Sequence, residues 1–179
     1  MQVLVVMLAS CALYGLPGAL LYPLLRERGY GLAPSLGIGM ALLTVLYSTL
    51  ASIVGYIAWL QLSATLLLDA LLLVVVCQRR TLLSSGFRFR LSDVERWKFL
   101  LLSLIALVYL IPAYLVPVPF DTDGQGFGLL IATVRSSGSI TTLAPFYPEI
   151  SWLYSPGYFL LGALLSDVTG AGIHEVMLG

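Results

Sequence analysis

Two aspartates separated by a single residue, Asp121 and Asp123, are the side chains whose placement best suggests chemistry. They follow an apolar run from Phe99 to Val118, and about 20 such residues are enough to cross a membrane as a helix. Two carboxylates just beyond a spanning segment place negative charge at the depth of the lipid headgroups. A phosphate-linked lipid presents its reactive group at that same depth. The pair therefore indicates chemistry on a lipid substrate at the membrane surface.

The same residues also have a purely structural interpretation. Aspartate is a favoured helix-capping residue, and the dipeptide Asp123–Gly124 is a frequent turn sequence. A loop that needs both a turn and a helix cap would have this sequence without any catalytic role. Both interpretations are open at this point.

The composition indicates a membrane protein. Hydrophobic residues make up 59% of the chain and charged residues 10%, with a mean hydropathy of +0.98, whereas roughly a quarter of the residues of a soluble domain are charged. Four apolar runs are long enough to span a membrane, and a fifth begins with Ser155 as helix cap and Pro156 as first helical residue. We therefore predict an all-α, polytopic bundle of about five transmembrane helices. The first four are Gln2–Leu25, Ser35–Gly55, Ala58–Cys77 and Trp97–Leu115.

The distribution of charge predicts the orientation of these helices. Six of the nine cations lie in one loop, residues 78–98, and two more, Arg26 and Arg28, follow the first run. Cytoplasmic loops carry an excess of Lys and Arg, so both segments are predicted to face the cytoplasm. Alternation then places the N-terminus, the link near Ile57 and the loop 119–154 outside the plasma membrane. We attribute the basic loop to attraction by anionic headgroups and expect no binding of nucleic acid.

One acidic residue, Asp69, falls inside the third run. Carboxylates within membrane helices are costly and are often functional. A tight hairpin near Ile57 would bring Asp69 opposite Thr44 to Ser48, whose hydroxyls could hydrogen-bond a protonated carboxyl group. A structural role and a functional role are both open.

A further helix is predicted just after the acidic pair. Phe127, Leu130, Ile131 and Val134 recur at positions i, i+3, i+4 and i+7, which is one face of a helix. Gly138 is placed to end it, and about a dozen residues are too few to span a membrane. We predict an amphipathic helix that lies in the outer membrane interface.

Residues 120–127 (FDTDGQGF) and 153–158 (LYSPGY) resemble the first outer loop of GT-C glycosyltransferases. More narrowly, they resemble bacterial relatives of the polyprenyl-phosphate-sugar-dependent mannosyl- and arabinosyltransferases. The resemblance covers about residues 97–170, and residues 16–20 (LPGAL) with the spans after them resemble extra N-terminal helices of some bacterial members. It implies a sugar donor carried on polyprenyl phosphate and transfer outside the membrane with inversion.

The resemblance also implies roles for individual residues. Asp121 corresponds to a general base or metal-associated carboxylate, with Asp123 as its partner and Mg²⁺ or Mn²⁺ as the cation. Arg135 would contact the donor phosphate, although a helix C-terminal cation has the same position. Glu149 and Tyr154 are weaker candidates for substrate contacts.

The chain departs from the family pattern at one point. Many relatives have a histidine near the Tyr-Pro segment, where this chain has Phe146 and Tyr147. Its single histidine, His174, lies beyond the motif, and we assign it no role.

The sequence predicts that the chain has three parts, and it leaves two hypotheses for its function. Residues 1–77 form a three-helix membrane segment, residues 78–98 the basic cytoplasmic loop and residues 99–179 the start of a GT-C-like module. In the first hypothesis this is the N-terminal part of a longer glycosyltransferase, inactive alone, which needs membrane lipids, the lipid-linked donor and further helices of a longer chain. The alternative is a non-catalytic multi-pass membrane subunit or a transporter fragment.

Overall fold

Three long apolar helices form the frame of the molecule. The computed structural model describes residues 2–79, 97–98, 100–101, 103–105, 107–108, 122–145, 147–151 and 156–178. Helix α1 spans Gln2–Arg26, α2 spans Leu32–Val54 and α3 spans Ala58–Gln78. Each is long and apolar enough to cross a membrane. The prediction of a helical protein with apolar helices of membrane-spanning length is therefore confirmed for this part of the chain.

The count of about five transmembrane helices is not confirmed. The fourth predicted span, Trp97–Leu115, is helical at the described positions between 97 and 108, and its other residues lie outside the described part. The fifth corresponds to helix α5, Gly157–Thr169, which has 13 residues. At about 1.5 Å per residue this helix is roughly 20 Å long, shorter than the ~30 Å hydrocarbon core. Pro156 is its N-cap residue, one position before the helix.

Helices α1 and α2 cross at two glycines. A Cβ atom added to Gly39 would lie 2.6 Å from the Cα atom of Gly18, and one added to Gly18 would lie 2.9 Å from the carbonyl oxygen of Ser35. Small residues let membrane helices approach this closely. Gly37 of the same helix, by contrast, faces open space, so it takes no part in this crossing.

The rest of the described chain consists of short elements. Helix α4 spans Thr122–Ser137, strand β1 Thr142–Leu143, strand β2 Tyr147–Ser151 and helix α6 Ile173–Leu178. The two strands pair antiparallel, with Thr142 opposite Ser151. This small sheet is an addition to the predicted all-α architecture.

Helix α4 packs lengthwise along α5. The ring of Phe127 lies 5.8 Å from that of Phe159, and Ile131 fills the space beside Gly162, where a Cβ atom would be 2.7 Å from its Cδ1 atom. One turn further on, Arg135 pairs with Asp167. Since both partners advance together along the sequence, the two helices are parallel.

The apolar face predicted for α4 contributes to the core. Ile131 and Val134 are fully buried, and Phe127 and Leu130 are partly buried against the same cluster. Gly138 follows the helix with φ +69°, as predicted for its C-terminal end. Because this face packs on protein, the predicted position in the membrane interface is not confirmed.

Helix α5 lies against the half of the bundle nearer the α2–α3 link. Gly157, its first residue, packs against Thr44 in the middle of α2. The Tyr14 hydroxyl of α1 donates to the Leu161 carbonyl at 2.5 Å. The backbone of the link also joins α4, since the Tyr56 N–H donates to the Gly138 carbonyl at 2.7 Å. Helices α4 and α5 therefore run from the middle of the bundle toward this link.

The link requires a special backbone conformation at Gly55. Its φ is +77°, and a Cβ atom there would lie 2.9 Å from the Gly138 carbonyl oxygen.

At the other end of the bundle, Arg79 pairs with Glu27 at 3.3 Å. Arg28, which follows α1, and Arg79, which follows α3, are thus at the end opposite the link. Which end faces the cytoplasm stays a prediction from the charges.

Candidate functional site

The predicted catalytic pair falls at the start of α4. Asp121 lies outside the described residues, and Asp123 belongs to the first turn of the helix, with its side chain outside the described part. Within the described residues, no group of three or more His, Cys, Asp or Glu side chains could hold a metal ion. The predicted Mg²⁺ or Mn²⁺ site therefore depends on Asp121 and Asp123 and stays a prediction.

Arg135 is the predicted site residue with the best-defined contacts. Its Nη2 atom lies 2.7 Å from Oδ1 of Asp167, and its Nε–H donates to the same oxygen at 2.8 Å. The other carboxylate oxygen, Oδ2, accepts a hydrogen bond from the Tyr56 hydroxyl at 2.6 Å. One aspartate thus joins α4, α5 and the α2–α3 link, and the charge of Arg135 is balanced within the protein.

The Tyr56 hydroxyl remains a donor in this cluster. Burial raises the pKa of the phenol above its ordinary value, and the neighbouring Asp167 raises this pKa further. A neutral phenol donates its proton to the carboxylate, so the three side chains form a fully paired unit. We call Tyr56, Arg135 and Asp167 the docking triad. The sequence did not single out Tyr56 or Asp167, because their meeting depends on tertiary packing.

Glu149, the remaining predicted contact with a described position, is not part of the docking triad. Glu149 is exposed on β2, and Tyr154 lies outside the described residues. His174 is exposed on α6, whereas its neighbour Glu175 accepts a hydrogen bond from the Gly172 N–H at 2.8 Å. The part of Glu149 and Tyr154 in substrate binding stays a prediction.

A second polar site lies inside the bundle, on α3. Gln61, Thr65 and Asp69 are spaced four residues apart, so they lie on one face of the helix, and their exposed fractions are 0%, 1% and 9%. We call these three residues the polar face of α3. The surface around it is apolar, since Leu66, Leu67 and Leu71 are all more than half exposed. A helix with polar residues inside and leucines outside is suited to a lipid environment.

Tyr47 of α2 covers the polar face. The Thr65 hydroxyl donates to the Gln61 carbonyl at 3.0 Å, so the short hydrogen bond between Thr65 and Tyr47 is donated by the Tyr47 hydroxyl. The Gln61 amide nitrogen donates to the Tyr47 carbonyl at 3.5 Å. These bonds satisfy the centre of the face but not its two ends.

Two acceptor oxygens of the polar face have no partner among the described residues. They are Oε1 of Gln61 and Oδ1 of Asp69, and both are buried. The sequence predicted that Asp69 lies opposite Thr44 to Ser48, and Tyr47 of that range interacts electrostatically with it. Among the described residues no hydroxyl of that range bonds Oδ1 of Asp69, and the Thr44 hydroxyl donates to the Met40 carbonyl at 2.9 Å. Burying an unpaired polar atom is costly, so these oxygens mark a site that a donor would complete. The spacing of Gln61, Thr65 and Asp69 was the sequence signal for it.

No family model, curated protein or solved structure matches this chain. The class supported by the structure is a helical membrane protein.

Proposed function

We propose that this chain is the N-terminal part of an integral-membrane glycosyltransferase, which moves a sugar from a polyprenyl-phosphate donor to an acceptor on the extracytoplasmic face. One observation carries the proposal: Asp121 directly precedes a helix that is docked on a bundle of candidate membrane spans. The docking triad and the Tyr56–Gly138 backbone bond fix that helix. We expect the carboxylate that precedes this helix to be accessible from the membrane, where a lipid-linked donor is available.

The proposed chemistry is a single displacement. Asp121 accepts the proton of the acceptor hydroxyl as its oxygen bonds to the anomeric carbon of the sugar. The bond from that carbon to the phosphate oxygen breaks, and the phosphate leaves with the electron pair, so the configuration inverts. A divalent cation on Asp121 and Asp123 would offset the charge that develops on the leaving phosphate. Arg135 acts by holding α4 in place, because Asp167 already occupies its guanidinium group.

Replacing Asp121 by Asn in the full-length protein tests this assignment. The amide keeps the shape of the side chain but cannot accept the proton, so we expect transfer from a polyprenyl-phosphate sugar to fall by about 100-fold or more. The matched control is Asp93→Asn, the same substitution in the loop predicted to be cytoplasmic, which should leave transfer unchanged. Membrane insertion should be equal in both variants. Full activity in Asp121→Asn would remove the catalytic assignment.

A second function, that of a transporter fragment, is favoured by the polar face of α3. Ion transport needs polar groups that face one another on different spans. Gln61, Thr65 and Asp69 lie on one buried face of α3, and Tyr47 of α2 covers it. If the full-length protein with Asp121 intact shows no sugar transfer from a polyprenyl-phosphate donor, this function becomes the better account.

A further inference from the structure

The polar face of α3 reaches from the α2–α3 link to the middle of the helix. Gln61 lies in the first turn of α3, next to the link, and Asp69 lies eleven residues from the start at Ala58. At about 1.5 Å per residue, Asp69 is roughly 16 Å from that end. All of the inward-facing polar side chains of α3 lie within this half of the helix; beyond Asp69 the buried residue is Val76.

The chemistry of the two unpaired atoms limits what can bind there. Both are acceptor oxygens, so the ligand must donate hydrogen bonds. They are separated by two helical turns, about 12 Å, which is too far for one small cation to contact both. Several separate donors are needed, and water molecules, each with two to four polar partners, fill such buried polar sites in proteins.

Among the described residues, the helices that pack on α3 place no cation beside Asp69. Helix α1 carries only Arg26, at its far end, α2 carries no charged residue, and the single charge of α5, Asp167, is paired with Arg135. Among the described residues, Tyr47 of α2 is a titratable group close enough to Asp69 to interact with it electrostatically. A buried carboxyl group without a counter-ion is stabilised by binding a proton.

We propose that the polar face of α3 is a binding path for water and protons, which leads from the α2–α3 link to Asp69. Gln61 receives water at the entrance through Oε1, and the hydroxyls of Tyr47 and Thr65 line the path. Asp69 ends it and exchanges one proton with the bound water, as neutral carboxyl or as carboxylate. The path is independent of the glycosyltransferase assignment, because it involves neither Asp121 nor α4.

Cysteine labelling tests whether water reaches this face. The full chain without its two cysteines (Cys11→Ala, Cys77→Ala) is placed in nanodiscs, and Thr65→Cys, Asp69→Cys and Leu67→Cys are treated with a small charged methanethiosulfonate. Leu67 is the matched control, since it lies between the other two in depth but is 62% exposed on the outer face of the helix. Because thiols react as thiolates, which lipid disfavours, we expect positions 65 and 69 to react at least about tenfold faster than position 67.

The relative labelling rates decide whether the proposed water path exists. Equal rates at all three positions, whether fast or slow, would overturn the proposal, because no hydrated face would then be distinguished from a lipid-facing one. If Asp69→Cys does not fold, Thr65→Cys tests the same path one turn nearer the link. Adding Gln61→Leu to Thr65→Cys should slow labelling, since leucine removes the acceptor at the entrance; an unchanged rate would contradict the assigned entrance.

Infrared spectroscopy tests the proton on the unsubstituted chain. A protonated Asp69 gives a carboxylic-acid carbonyl band that is missing from Asp69→Asn, and an exchangeable proton shifts this band when the nanodiscs are moved into heavy water. We expect both the band and its shift. A spectrum identical to that of Asp69→Asn across the pH range would show that Asp69 holds no exchangeable proton.

Discussion

At the residue scale, two aspartates of the bundle differ in their partners. Asp167 is surrounded by donors, from the guanidinium of Arg135 and the hydroxyl of Tyr56. Asp69 is more deeply buried, and its Oδ1 atom has no partner among the described residues. Satisfied polar groups hold elements together, whereas an unsatisfied buried acceptor indicates a ligand. We therefore assign Asp167 to docking and Asp69 to binding.

The docking role of Asp167 predicts a loss of stability in Asp167→Asn. The amide cannot form the ion pair with Arg135, and because that pair is partly exposed, we expect a loss of about 1 kcal/mol. The thermal midpoint in detergent, followed by circular dichroism, measures it. Glu149→Gln removes an exposed carboxylate from β2 and should have no effect. The exchange Arg135→Asp with Asp167→Arg should recover part of the loss; a single variant as stable as the parent would contradict the role of the triad.

At the scale of elements, the closest contact is the crossing of α1 and α2. The positions that meet there, Gly18 and Gly39, bring backbone against backbone. Neither helix can relieve an added methyl group by a side-chain rotation, so the helices would have to move apart.

Gly39→Ala is therefore expected to destabilise the bundle by about 1–3 kcal/mol, the usual cost of overpacking. Gly37→Ala is the matched control, two residues away on the same helix with nothing within 4 Å of its added Cβ atom. It should be neutral or slightly stabilising, because alanine favours helix more than glycine does. Unfolding of both variants in mixed micelles gives the comparison. Equal stability would show that the two helices do not cross at Gly39.

Sequence patterns predicted the elements better than their contacts. Length and hydropathy placed α1, α2 and α3 to within a few residues, and the spacing of Ile131 and Val134 predicted the buried face of α4. The same spacing could not tell whether that face packs on lipid or on protein. Likewise, the position of Asp69 and the range of α2 opposite it, Thr44 to Ser48, were predicted from the sequence. Which side chain of that range bonds α3 depends on the rotation of the helix, which brings the Tyr47 hydroxyl to Thr65.

At the scale of the whole molecule, the described contacts define two ends. The α2–α3 link, the docking triad and Gly138 lie at one end, and the Arg79–Glu27 pair lies at the other. The charges predict that the second end is cytoplasmic. Both the glycosyltransferase proposal and the side from which protons reach Asp69 depend on this orientation.

Labelling in intact cells tests the orientation most directly. In the cysteine-free background, Glu149→Cys and Arg88→Cys are exposed to a thiol reagent that does not cross membranes, before and after lysis. The account predicts that position 149 reacts in intact cells and that position 88 reacts only after lysis. Reaction of position 88 in intact cells, with position 149 protected until lysis, would contradict it.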